Sequence, residues 1–187
     1  MILWFRHLSQ ESLDSSEWTP FIQNIWYQEH YMKFVYLLQL VLVFIPSIFS
    51  IRFLNIHIFG LILIGILVFI LHECLHILVI KQKGDISLTF SGIFFWINTN
   101  AILSKARFWV FMSLPFVVLS VVPAILSFYV SGDLKVILLF ISWFNTLISA
   151  SDMINSVLIA LKPKNTLFFR GYVRVGKGIL KMNGPLN

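Results

Sequence analysis

Four long apolar runs govern what this chain can become. A helix needs about 20 mostly apolar residues to cross about 30 Å of hydrocarbon. Residues 34–51, 58–80, 108–130 and 136–160 each approach or exceed that length. The gaps at 52–57 and 131–135 are short, as expected for hairpin connections between antiparallel helices. Pro46, Pro115 and Pro123 fall inside the runs, where kinks are tolerated if neighbours satisfy the freed carbonyls. The expected fold is an all-α integral membrane protein with four transmembrane helices and a small β-hairpin insertion between the second and third. Composition agrees, with 58% hydrophobic and 12% charged residues against about 45–50% and about 25% in average soluble domains. That balance excludes a disordered chain or a coiled coil, and a single cysteine, Cys74, excludes an intramolecular disulfide.

The net charge of +6 could suggest nucleic acid, but its placement argues otherwise and no nucleic-acid partner is expected. Arg6, Lys33, Lys81, Lys83, Lys105, Arg107, Lys162, Lys164, Arg170, Arg174, Lys177 and Lys181 fall on one side of a four-span arrangement, and only Arg52 and Lys135 on the other. Basic loops stay cytoplasmic, so both termini are expected there, in a cell (plasma) membrane. The expected domains are an interfacial, amphipathic N-terminal segment (1–33), a membrane domain (34–164) and a basic tail (165–187). Thr19-Pro20 reads as an N-cap followed by proline at the first helical position. The first residues, a short apolar stretch followed by acids, do not read as a signal peptide.

Ionisable groups inside a span are functional candidates by default. Glu73 and Asp152 are the acidic residues deep within the runs, and His72 and His76 lie there too. His72-Glu73-Cys74-Leu75-His76 is an H-E-x-x-H sequence. Residues i and i+4 share a helix face, so both imidazoles can bind one zinc ion, and Glu73 can act as general base toward water at the metal. A catalytic zinc usually takes a third protein ligand. Asp152 is as far from the end of its run as His72 is from its own, which places the two at matching depth. The alternative is a histidine pair hydrogen-bonded within the bundle. Non-haem iron uses a similar ligand set. Cys74 lies far around the helix from both histidines and is expected to pack against a neighbouring helix.

Ser142, Asn145, Ser149, Asp152 and Ser156 form one polar stripe along the fourth run. Asn145, two turns outward of Asp152, could hydrogen-bond a substrate carbonyl or an oxyanion, or it could cement helix packing. Residues 85–104 are not helical in pattern. Ile86, Leu88 and Phe90 alternate with Ser87, Thr89 and Ser91, a period-2 strand, and residues 93–97 give a second strand-like run. This ribbon could hold an unwound substrate by strand addition, or simply cap the bundle. Residues 167–175 are also strand-like and basic, and could pair with the ribbon or touch anionic lipid.

The His72–His76 motif, the β-like insertion, a third span opening near Ser104-Lys105-Ala106-Arg107 with Pro115 inside, and Asn145 with Asp152 in the fourth span resemble the putative zincin peptidase family of bacterial membrane proteins. The chain is more distantly similar to site-2 proteases, the intramembrane zinc metalloproteases. The resemblance implies zinc bound by His72, His76 and Asp152, catalysis by Glu73, and assistance from Asn145 near the substrate. Residues 147–151 lack the proline, and Met153 replaces the glycine, that site-2 proteases typically carry there. The expected function is a zinc-dependent intramembrane metalloprotease that cleaves membrane-associated substrates near the cytoplasmic face. The alternative is an inactive metal-binding membrane protein, a pseudoprotease or an adaptor. The expected partners are the lipid bilayer and a membrane-protein or peptide substrate.

Overall fold

The computed structural model describes residues 2–4, 17–48, 53, 56–81, 84–91 and 94–176. Its helices are α1 (Ile25–Val43), α2 (Ile45–Ile48), α3 (Ile58–Ile80), α4 (Lys105–Phe116), α5 (Val122–Leu126), α6 (Gly132–Ile148) and α7 (Ala150–Ala160). A π-helical stretch, Val117–Val121, joins α4 to α5. The strands are β1 (Ile2–Trp4), β2 (Thr19–Pro20), β3 (Ile86–Ser91), β4 (Phe94–Thr99), β5 (Leu103–Ser104), β6 (Thr166–Phe169) and β7 (Tyr172–Val175).

Three helical runs are long and apolar enough to cross a membrane: Ile25–Ile48, Ile58–Ile80 and Lys105–Leu126. A fourth arises if α6 and α7, bent by 63°, count as one span. Large apolar side chains point outward, among them Leu37, Leu40 and Phe44 on the first run and Phe59, Leu63 and Ile70 on α3. In water such a surface would drive association. In hydrocarbon it is the expected exterior, because lipid tails are as apolar as the side chains.

The helices depart from the sequence expectation in three places. The first begins at Ile25, well before residue 34, because the Asn24 side chain caps it by accepting from the Tyr27 backbone N–H at 2.9 Å. Gln28, Glu29 and Lys33 are carried on exposed positions of α1. Thr19-Pro20 is no helix start. It forms β2, which pairs with β7, and the Phe21 N–H donates to the Gly171 carbonyl at 2.8 Å. The interfacial segment expected over residues 1–33 falls partly on residues 5–16, which lie outside the described residues. The fourth run is broken rather than continuous. Ser149 and Ala150 at the break are completely buried, and such small side chains let α6 and α7 turn within a crowded interior.

The third run is continuous but irregular. The Ser104 side chain accepts from the Arg107 N–H at 3.4 Å and caps it. Pro115 and Pro123 each lack a backbone N–H, and the π-helical stretch lies between them, as expected where the i→i−4 ladder is interrupted. Cys74 does not pack against a neighbour. It is exposed, on the side of α3 away from the buried His72, His76 and Ile80.

Two small sheets sit where the helices end. One has the order β1-β3-β4, with β3 and β4 antiparallel and β1 parallel to β3. The other has the order β2-β7-β6-β5. The strands near the C-terminus therefore pair with each other and not with β3–β4. Their turn explains this, because Arg170 (φ 46°) and Gly171 (φ 79°) both adopt the positive φ that a two-residue hairpin turn requires. Ile80, Ile86, Ala101, Leu103 and Phe111 form a core that joins the end of α3 to both sheets and α4. Ile159, Phe168 and Val173 tie α7 to the second sheet. The Lys105 ammonium donates to the Ala160 carbonyl at 2.8 Å and also to the Lys162 carbonyl. It thereby caps α7 with the start of α4, where a cation suits the helix dipole.

Gly65 on α3 faces α6. A Cβ there would stand 3.4 Å from the Phe144 ring. Gly65→Ala should therefore be nearly neutral. Gly65→Leu should overpack the contact and cost about 1–3 kcal/mol, read as a lowered midpoint of thermal unfolding in detergent. Equal midpoints for Gly65→Leu and wild type would refute this packing.

Candidate metal centre

α3 is apolar along almost its whole length, and its helical repeat places His72 and His76 on one buried face. Asp152 arrives from α7, in the first turn after the break. A helix N-terminus favours negative charge, so the bend supplies the carboxylate with a matching dipole as well as re-aiming it. His72, His76 and Asp152 are all buried, and their ligand atoms lie within 4.8 Å of one another.

The contacts are closer than that bound. His72 Nε2 lies 3.1 Å from His76 Nε2. Asp152 Oδ2 lies 3.2 Å from each of them. Protons on the imidazoles are assigned by their other nitrogens. His76 Nδ1 donates to the Phe111 carbonyl at 2.7 Å. His72 Nδ1 donates to Asn145 Oδ1 at 3.0 Å. The Asn145 amide is turned that way because its Nδ2 faces the Pro115 carbonyl at 3.1 Å, Ser120 Oγ at 2.8 Å and Ser149 Oγ at 3.2 Å.

With both Nδ1 atoms protonated, neutral imidazoles present bare lone pairs at Nε2. Three electron-rich atoms then converge on one point, an arrangement that calls for a cation between them. In a tetrahedral zinc site with bonds near 2.0–2.1 Å, ligand atoms stand about 3.3–3.4 Å apart. The triangle here is slightly tighter, so a small inward pucker of the ligands separates the two geometries. Two imidazoles and one carboxylate are also a chemically apt donor set for zinc. The residues present fit the ion.

Beside the triangle is a cavity of about 470 Å³. His72, Glu73, His76 and Asp152 line it, together with Tyr31, Gln39, Ser151 and Asn155 and an apolar wall that includes Val35, Phe69, Phe111 and Met112. Glu73 is half-buried on this wall, within the same cavity as the ligand triangle. A second cavity, of about 430 Å³, lies between the two sheets and shares Ile97, Phe111 and Met112 with the first.

Four of the five residues singled out from the sequence border the first cavity. The fifth, Asn145, does not. It is fully buried and both ends of its amide are committed inside the protein. Asn145, which the sequence left open between a substrate contact and helix packing, turns its oxygen to His72 and its nitrogen to three acceptors. Sequence reasoning missed Tyr31 and Asn155. Asn155 had a signal, since it stands three residues beyond Asp152 and shares its helix face. Tyr31 had none.

A family model described as a putative zincin peptidase matches residues 65–167, more than half of the chain, and the chain belongs to that family. No curated protein and no solved structure matches it.

The Asn145 contacts carry an expected outcome. Groups that hydrogen-bond a ligating histidine typically contribute 10–100-fold to metal affinity. Asn145→Leu should weaken zinc binding by about that factor, measured by competition with a colorimetric chelator. Asn145→Asp, which keeps an acceptor for His72, should retain more of it. Unchanged affinity in Asn145→Leu would disprove the role.

Proposed function

We propose that this zincin-family chain is a zinc-dependent intramembrane metalloprotease. It would hydrolyse peptide bonds of membrane-associated substrates near the cytoplasmic face of the cell membrane, in the manner of site-2 proteases. One observation carries the reading: three lone-pair-bearing atoms, on His72, His76 and Asp152, meet beside a cavity whose wall also presents the Glu73 carboxylate.

His72, His76 and Asp152 would hold the ion. Bound there, zinc supplies the Lewis acidity that polarises a carbonyl and acidifies water. Glu73 takes a proton from the attacking water as the new C–O bond forms at the scissile carbonyl carbon. It returns that proton to the leaving amine nitrogen as the C–N bond breaks. Asn145 fixes the ring of His72, and the Phe111 carbonyl fixes that of His76, so neither imidazole must reorient.

A membrane-spanning substrate is helical, and its peptide bonds are shielded by their own hydrogen bonds. It must be extended before water can reach a carbonyl. β4 is the outer strand of its sheet among the described residues, and Ile97 on β4 borders the cavity. An open edge of this kind offers backbone partners to an extended segment. The basic residues clustered after α3 and α7 favour a cytoplasmic placement for this end of the bundle.

The test is metal content first. Elemental mass spectrometry should find about one zinc per wild-type chain purified in detergent, little iron, and no zinc in His76→Ala or Asp152→Ala. Glu73→Gln should keep its zinc and lose cleavage of membrane-spanning peptides. A folded wild-type protein without metal would overturn the reading and favour a non-enzymatic adaptor.

A further inference from the structure

Hydrolysis of a peptide bond moves negative charge onto the carbonyl oxygen as the C–O bond forms. A positioned N–H or O–H donor aimed at that oxygen is typically worth 10²–10³ in kcat. Asn145 cannot serve, because it is buried and its amide is committed. Gln39 cannot, because its Nε2 donates to the Leu147 carbonyl at 3.1 Å.

We propose that Asn155 is the catalytic donor that holds the reacting carbonyl oxygen, and that Tyr31 is its positioning residue. The inference rests on the peptidase reading above. Asn155 lies one turn beyond Asp152 on α7, about 4.5 Å along the helix axis and on the same face. It borders the cavity that also contains His72, Glu73 and His76. Its orientation is set by α1, which contributes Tyr31 to the same cavity. Tyr31 Oη donates to Asn155 Oδ1 at 3.0 Å, nearer than its other acceptor, the Ser151 carbonyl at 3.3 Å. This contact consumes the oxygen of the amide. The Nδ2 group, with two N–H bonds, has no hydrogen-bond partner among the described residues.

A purely adhesive pair between α1 and α7 would need only the Tyr31–Asn155 contact. It would not require the amide to border the reaction space with its donor end left over. The donor makes no covalent bond. It stabilises the charge that builds on the carbonyl oxygen as water adds and that is lost as the amine leaves, while Glu73 moves the proton.

The experiment uses the full chain, zinc-loaded, in detergent. The probes are a phosphinic peptide with apolar flanking residues, whose tetrahedral P–O⁻ oxygen stands for the reacting carbonyl oxygen, and acetohydroxamate, which reports on the metal alone. Asn155→Leu should bind the phosphinic peptide about tenfold or more weakly than wild type. Tyr31→Phe should shift it in the same direction by a smaller factor. Zinc content and acetohydroxamate affinity should stay at wild-type values in both. Asn155→Asp keeps the acceptor for Tyr31 and removes the N–H groups, and it substitutes if the leucine variant does not fold. Equal phosphinate affinity in wild type and the Asn155 variants overturns the inference. So does a parallel loss of both probes, which marks a structural role. Wild-type protein that lacks zinc, or that holds zinc yet ignores the phosphinic peptide, overturns the peptidase reading itself.

Discussion

One buried amide sets the arrangement of the helices around the ligand triangle. Asn145 reaches His72 on α3 with its oxygen, and Pro115, Ser120 and Ser149 with its nitrogen. These partners belong to α3, α4, the π-helical stretch and the break between α6 and α7. In an apolar interior each missing partner of a polar group costs about 1–3 kcal/mol, so the segments are held in one mutual position. The ring of His72 cannot rotate without stranding Asn145. Asn145 cannot turn without losing its contacts to the π-helical stretch and to the break.

The irregularities of the bundle therefore gather in one place. Inside a membrane, every backbone group must find an internal partner. The chain breaks that economy at Pro115, at Val117–Val121 and at Ser149, all near the ligands. At the first of these, a side chain repairs what the backbone gave up: proline has no N–H for the carbonyl four residues before it, that of Phe111, and His76 Nδ1 donates there instead. The break at Ser149 also yields a helix start for Asp152. Elsewhere, along α3 for example, the backbone runs regularly. The two sheets fasten the opposite ends of the sequence to the helix ends, through β1 beside β3 and β2 beside β7.

What the sequence revealed follows the range of each interaction. His72, Glu73 and His76 sit within five residues on one helix, and their relation is fixed by local geometry alone. The apolar run at 58–80 is α3 because nothing in it competes with a helix. Asp152 emerged because a lone carboxylate in an apolar run demands a partner. The bend at Ser149 was not visible. The run 136–160 has no proline or glycine to mark a break, and the turn depends on buried neighbours contributed by distant segments. The polar stripe passed through Ser156 and overlooked Asn155, although both stand within about one turn of Asp152 on α7. Asn145 was visible as an oddity, but its partner His72 is 73 positions away, so its role was not. The strands at Thr166–Phe169 and Tyr172–Val175 showed in their alternation, yet alternation does not name a pairing partner. Thr19-Pro20 carried a helix-start signature that pairing with β7 overrode.

Asp152 follows His76 by 76 positions, and the strands that anchor the end of α7 come later still. During synthesis the first two apolar helices can enter the bilayer while the carboxylate is still untranslated. An unfinished chain then holds two histidines without their third companion, and its cavity lacks the wall that α7 provides. Contacts of such long sequence separation form late, because chain closure must precede them. The centre is thus a property of the completed polypeptide, and a nascent copy beside other inserting proteins carries no assembled triangle.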